Sequence, residues 1–138
     1  MSGQVSAQTP TSASASMRFV AVDVFVDSPG KPLAAYQLEF SVTNTTAKIV
    51  GIEGGEHAAF AEPPFYDPKA MQRERVIIAA FSTEPTDKLP AGKTRVATIH
   101  LQVSKNTEPE FGLAMQTAAD ADGRRLPVST RLEERRKR

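Results

Sequence analysis

Residues 33–42 read Leu-Ala-Ala-Tyr-Gln-Leu-Glu-Phe-Ser-Val, and this stretch decides the fold. Tyr36, Leu38, Phe40 and Val42 fall on one face of an extended chain, while Gln37, Glu39 and Ser41 fall on the other. A period of two means a strand with one apolar and one wet face. The same alternation recurs on both sides of it. Upstream, Val20, Val22, Val24 and Val26 share a face of Arg18–Val26. Downstream, Thr94–Val103 sets Ala97, Ile99, Leu101 and Val103 inward, with Thr98, His100 and Gln102 outward. Ala47–Glu53, Phe111–Thr117 and Arg125–Leu132 add further strands, the last alternating at Leu126, Val128, Thr130 and Leu132. Arg75–Ser82 (RVIIAAFS) is apolar on both faces, the pattern of a strand covered on both sides, and is read as the central strand. Turn residues separate these runs at Asp27–Pro32, Thr43–Thr46, Gly54-Gly55 and Pro85–Gly92. Asp122-Gly123 is a two-residue hairpin signal. Seven short strands with turns between them predict an all-β, antiparallel two-sheet sandwich.

Composition bounds what such a sandwich can do. A chain of 138 residues fits one domain, and 40% hydrophobic content with 7% aromatic builds a mainly aliphatic core. The net charge of +1 is uneven, because Arg135–Arg138 are all basic and the remainder is mildly acidic. An acidic body argues against nucleic acid as the main partner. No cysteine is present, which excludes disulfides and thiol catalysis. No run approaches the ~18 apolar residues needed to span a bilayer. The N-terminus has neither a basic start nor an apolar stretch, so it does not read as a secretory signal. Ser2–Ser16 is instead a Ser/Ala/Thr/Gln linker, too polar to offset the entropy of ordering. Linkers of this kind often follow a removed leader or anchor, and a disordered cytosolic tail has the same composition; of the two, the chain is expected to be exported, its leader not present here. The domain reading is a linker over 1–17, a sandwich over 18–132 and a charged tail over 133–138.

One connection is too long for its task. Gly54–Glu74 spends about twenty residues between two strands, and loops of that length are often functional. Asp67-Pro68 fits an N-cap followed by proline at the first helical position, predicting a short helix over Asp67–Arg73. The loop gathers Glu56, His57, Phe60, Phe65, Tyr66 and Asp67, with glycines at one end and three prolines stiffening the middle. These six are the candidate ligand-binding residues. Pre-stiffening lowers the entropy lost on binding, and the aromatics offer contact area.

Other constellations lead nowhere catalytic. Glu53, Glu56 and His57 lack a metal-ligand spacing, and a solvated loop is the ordinary reading. Asp120-Ala121-Asp122-Gly123 lacks the later glutamate of a calcium loop, since Ser129 stands there, and reads as a turn. Asn44-Thr45-Thr46 is a glycosylation sequon. His100 lies on an outward strand face, and no serine sits in a nucleophile elbow. No nucleophile, base and orienter can be assembled, so neither an enzyme nor a cofactor or metal is expected.

Taken in order, the segments resemble a cohesin-type domain. Leu33–Phe40 (LAAYQLEF), Ile49–Gly55 (IVGIEGG) and Val76–Ser82 (VIIAAFS) carry the likeness. The turn Leu89-Pro90-Ala91-Gly92, the strand Arg95–Val103 (RVATIHLQV) and the Asp122-Gly123 turn continue it, over residues 18–132. Asn44-Thr45-Thr46 stands where cohesins usually carry an aspartate–proline turn. The resemblance implies a jelly-roll sandwich of about nine strands. It also implies a non-catalytic module that binds a dockerin-type protein or, as several modules of the same fold do, a polysaccharide. Contact residues are not transferable position by position. The absence of tryptophan weakens a flat platform for crystalline polysaccharide.

Overall fold

The computed structural model describes residues 17–135. The linker expected over residues 1–17 lies outside this range save for Met17, as do residues 136–138 of the basic tail. Seven strands are present: β1 (Met17–Ser28), β2 (Ala35–Val42), β3 (Ala47–Gly54), β4 (Arg75–Phe81), β5 (Gly92–Ser104), β6 (Phe111–Ala119) and β7 (Ser129–Arg135). They form two antiparallel sheets, one of four strands in the order β3-β5-β1-β7 and one of three in the order β4-β2-β6. The all-β sandwich is therefore as the alternation predicts. Beyond these seven strands, pairing among the described residues is reduced to two isolated bridges, Phe65 with Ala79 and Ala119 with Arg125.

Every connection crosses from one sheet to the other, so no two consecutive strands pair. The inner rows of both sheets then meet in one core. Val20, Val22, Val24 and Val26 of β1 and Ile99, Leu101 and Val103 of β5 face Tyr36, Leu38, Phe40 and Val42 of β2 and Val76 and Ile78 of β4. The Tyr36 hydroxyl donates to the Val96 carbonyl at 3.4 Å, and burial pushes its pKa up. Its ring meets Phe60 edge-on at 5.6 Å.

Three sequence expectations change. β4 is not central but an edge strand of the three-stranded sheet. Its second apolar row, Ile77, Ala79 and Phe81, has no covering layer among the described residues, and Ile77 is 45% and Phe81 64% exposed. The Asp122-Gly123 turn forms, with the Asp120 carboxylate accepting the N–H groups of Asp122 and Arg124 at 2.9 Å. It does not start a hairpin of two long strands, because after Leu126 the chain leaves β6 for the other sheet and pairs with β1. β7 also runs on through Arg135, past the boundary at 132, because Glu133, Glu134 and Arg135 continue the ladder opposite Asp23, Val22 and Ala21.

Candidate functional site

The loop after β3 is packed as a strap, and local chemistry fixes its course. Gly55 donates its N–H to the Phe60 carbonyl at 2.7 Å, and the Glu56 N–H reaches the Arg95 carbonyl at 3.0 Å. A side chain at Gly55 would collide with the Arg95 carbonyl and crowd Val96, whose Cα would lie 2.8 Å from the new Cβ. The glycines at this end of the loop therefore serve close approach. His57 caps a 3-10 turn, Ala58–Phe60, by accepting the Ala59 N–H on Nδ1 at 3.0 Å. The chain then extends through Pro63 and Pro64, and Phe65 exchanges two main-chain hydrogen bonds with Ala79 of β4, at 2.7 and 3.0 Å.

The helix expected over Asp67–Arg73 contracts to a single 3-10 turn, Pro68–Ala70. Asp67 caps it as anticipated, accepting the Lys69 N–H at 3.0 Å. It stops because the chain must turn back: Gln72 adopts φ of 73°, and its N–H bonds the Ile49 carbonyl of β3 at 2.9 Å. The strap is thus tied to both sheets before β4 begins.

These ties sort the six candidate residues. Phe60 leaves the set, because it is only 2% exposed and belongs to the core. Tyr66 is half-buried against that core. His57 and Asp67 are occupied as caps, and the Glu56 carboxylate accepts the Arg95 N–H at 3.2 Å. Phe65 alone stands proud, 68% exposed, its ring stacked on Phe81 with centroids 6.2 Å apart. Glu53, the remaining carboxylate near the glycines, pairs with His100 at 2.5 Å. Among the described residues no cluster of His, Asp or Glu could hold a metal ion. The sequon asparagine is a brace: its side chain donates to the Glu108 carbonyl and accepts the Glu110 N–H.

What Phe65 joins was missed by the sequence reading. Residues of β4 that alternate away from the core, Ile77, Ala79 and Phe81, continue the apolar surface that Phe65 begins. The outer residues of β2, Gln37 and Glu39, border it with polar groups across the sheet. A groove of about 800 Å³ runs along this edge, lined by Gln37, Glu39, Phe65, Lys69, Arg73 and Ile77 among others. Glu39 is paired with Arg75 across its floor. Ile77 lies two residues from Ala79 on the same strand, so its N–H and C=O also point away from β2, into the groove. A smaller groove of about 290 Å³ lies beyond Phe65, lined by Ala58, Ala59, Pro63, Phe81 and the carboxylate-bearing Glu62 and Glu84. A surface with a partly apolar centre, polar rims and an open strand edge can bind another chain. It holds no group arranged for bond making.

No family model and no curated protein matches the chain. Solved structures do. The cohesin of a type I cohesin–dockerin complex from Clostridium thermocellum superposes with a TM-score of 0.61 at 16% identity. The match covers 80% of this chain and 82% of that one. The fold is that of a cohesin. The seventh ScaB type I cohesin of Pseudobacteroides cellulosolvens matches at a TM-score of 0.58 and 9% identity, over 78% of this chain and 73% of its own. The non-cellulosomal cohesin of the archaeon Archaeoglobus fulgidus gives 0.54 at 11% identity, over 81% and 78%. The cohesin fold of this chain thus rests on shared geometry.

Proposed function

We propose that this chain is a non-catalytic binding module that docks a dockerin-type protein partner through the outer face of the β4-β2-β6 sheet. The module would serve in an extracytoplasmic assembly. The observation that carries the reading is the exposed row Phe65, Ile77 and Phe81, framed by the Glu39–Arg75 pair. Binding energy at protein interfaces concentrates in such apolar and aromatic anchors, with polar residues at the rim. The resemblance of the segments to cohesins and the cohesin fold support a protein as the partner. Of the ligand residues expected from sequence, Phe65 makes direct contact in this reading, while Glu56, His57, Tyr66 and Asp67 hold the strap that presents it.

A dockerin-type partner carries duplicated calcium-loop repeats, which gives the test its control. Immobilised wild type and the double variant Phe65→Ala/Phe81→Ala are offered the exported proteins of the source organism, with calcium and with a chelator. A captured protein is then produced alone and titrated by calorimetry. Expected is a calcium-dependent partner that the double variant binds at least tenfold more weakly, about 1.4 kcal/mol. Equal capture by both proteins, or binding on a glycan array in place of any protein, overturns the reading.

A further inference from the structure

The two grooves beside Phe65 differ in charge. In the larger one cations and carboxylates balance; the smaller one holds Glu62 and Glu84 and no cation. The strap pairs antiparallel with β4 at Phe65 and Ala79, so the residues before Phe65 run beside those that follow Ala79. Glu62 comes to the smaller groove from the strap and Glu84 from the segment after β4, and both are exposed. The nearest lysines along the chain, Lys69 and Lys88, do not line it. Among the described residues neither glutamate takes part in an ion pair. Most of the remaining wall is carbon, from Ala58, Ala59 and Pro63 to the exposed rings of Phe65 and Phe81. Both sides are preformed: the His57 cap sets the Ala58–Phe60 turn, and the Ser82 hydroxyl accepts the Glu84 N–H at 3.2 Å.

We propose that this smaller groove is a binding site for an arginine side chain, presented by the protein partner that docks on Phe65 and Phe81. Three features of the groove match three parts of that side chain. Its apolar wall suits the methylene stem, which packs on carbon while the head stays near water. The aromatic rings suit the guanidinium plane, which is drawn to ring faces. The two carboxylates suit its charge and its fork of N–H donors, which a lysine ammonium cannot spread over two acceptors. Size agrees: about 290 Å³ lies at the bottom of the ~300–1,000 Å³ range of small-molecule sites, room for one long side chain. Preformed walls keep the entropy lost on binding low. The inference rests on the docking reading for the rest of the partner. It adds orientation, since an arginine held at the C-terminal end of β4 decides how the partner lies along the apolar row.

The groove can be probed without any partner. N-acetyl-arginine amide is titrated into isotope-labelled protein, and amide shifts are followed by nuclear magnetic resonance. The control is the matching citrulline amide, of the same length and shape but neutral. Expected are saturating shifts at Ala58–Phe60, Phe65 and Glu84, with dissociation in the millimolar range and binding about tenfold weaker for citrulline. The variant Glu62→Gln/Glu84→Gln changes only exposed side chains, so its melt should match wild type while the arginine shifts vanish. Shifts that are absent, that map to another face, or that citrulline produces equally overturn the proposal. A captured partner supplies the second arm, and it should bind the double glutamine variant about tenfold more weakly than wild type. A partner lost on Phe65→Ala/Phe81→Ala but bound normally by the glutamine variant overturns the arginine site and keeps the docking reading. Arginine amide seated in the groove with no protein partner captured does the reverse.

Discussion

The two outer faces of this sandwich solve the problem of meeting water in opposite ways. On the four-stranded sheet, Arg95 donates to the Thr98 hydroxyl at 2.9 Å, Thr98 donates to Asp23 at 2.7 Å, and Arg135 donates to the other Asp23 oxygen at 3.0 Å. That hydrogen bond raises the pKa of Arg135. His100 pairs with Glu53, and Lys93 bridges to Glu133 while lying over the Phe25 ring. Among the described residues Phe19, at 64%, and Val50, at 38%, are the large apolar side chains exposed there. On the three-stranded sheet the single ion pair among the described residues is Glu39–Arg75, and beside it the outward row of β4 and the strap present Ile77, Ala79, Phe81 and Phe65. A partner docking on the first face would have to strip water from paired charges, a cost their attraction rarely recovers. On the second it would remove apolar surface from water. The first face is closed by its own charges; the second leaves apolar side chains uncovered among the described residues.

The deepest perturbation should act on both faces at once. Leu101 is fully buried on β5, beneath the closed face and against the core that supports the open one. Leu101→Ala is expected to destabilise by on the order of 2–5 kcal/mol in urea unfolding. Because all connections cross between sheets, the loss should appear as one cooperative transition. Two resolved transitions would mean that the faces fold independently and that the comparison is between two units.

Next in size is the strap that frames the open face. Gly55→Ala places a methyl against the Arg95 carbonyl and Val96 of the closed sheet, and neither backbone can yield cheaply. A loss of about 2–3 kcal/mol is expected by thermal melting, the scale of overpacking in a filled interior. A loss near zero would show that the strap rests loosely on the sandwich and does not position Phe65.

The strap also marks where the sequence could be read and where it could not. Alternation at residues 33–42 and 94–103 is a direct record of one buried face, so the sandwich and its inner rows were legible. Thr98 shows the limit of that record: it lies on the outward row, yet it is 0% exposed because Arg95 and Asp23 close over it. For β4, double-sided apolarity has two physical causes, cover on both faces or a surface awaiting a partner, and a single chain cannot tell them apart. A glycine pair in sequence fits chain freedom and close approach alike, and at Gly54-Gly55 the structure shows close approach. The candidate site was half legible: loop length pointed to the strap that carries Phe65, but the apolar row of Ile77 and Phe81 beside it was read as covered.

On the closed face itself, Asp23→Ala removes the acceptor shared by Thr98 and Arg135. It leaves the buried Thr98 hydroxyl without an acceptor and releases the Arg135 side chain at the end of β7. Hydrogen bonds that involve a charged group are worth about 1.5–3 kcal/mol, so a loss of about 2 kcal/mol is expected in denaturant titration. Hydrogen exchange should rise at Leu132–Arg135 before it rises in β5. If exchange in β7 is unchanged, the network does not close that edge, and the contrast between the faces weakens.

The smallest effect on stability is expected where the effect on binding is largest. Phe65 and Phe81 stack on each other but keep about two-thirds of their surface in water. Truncating both to alanine removes one aromatic contact and little buried area. The strap keeps its main-chain bonds to Ala79, which do not involve either ring. The stability change should stay within roughly half a kilocalorie, the range of ordinary surface substitutions. An apolar reporter dye that fluoresces on exposed hydrophobic surface should bind the double variant less than wild type, and the Asp23→Ala protein no less than wild type. A loss of 2 kcal/mol or more, roughly the scale of a truncated core side chain, would mean that the aromatic pair is part of the packing. The open face would then be a second closed one, sealed by carbon instead of charge.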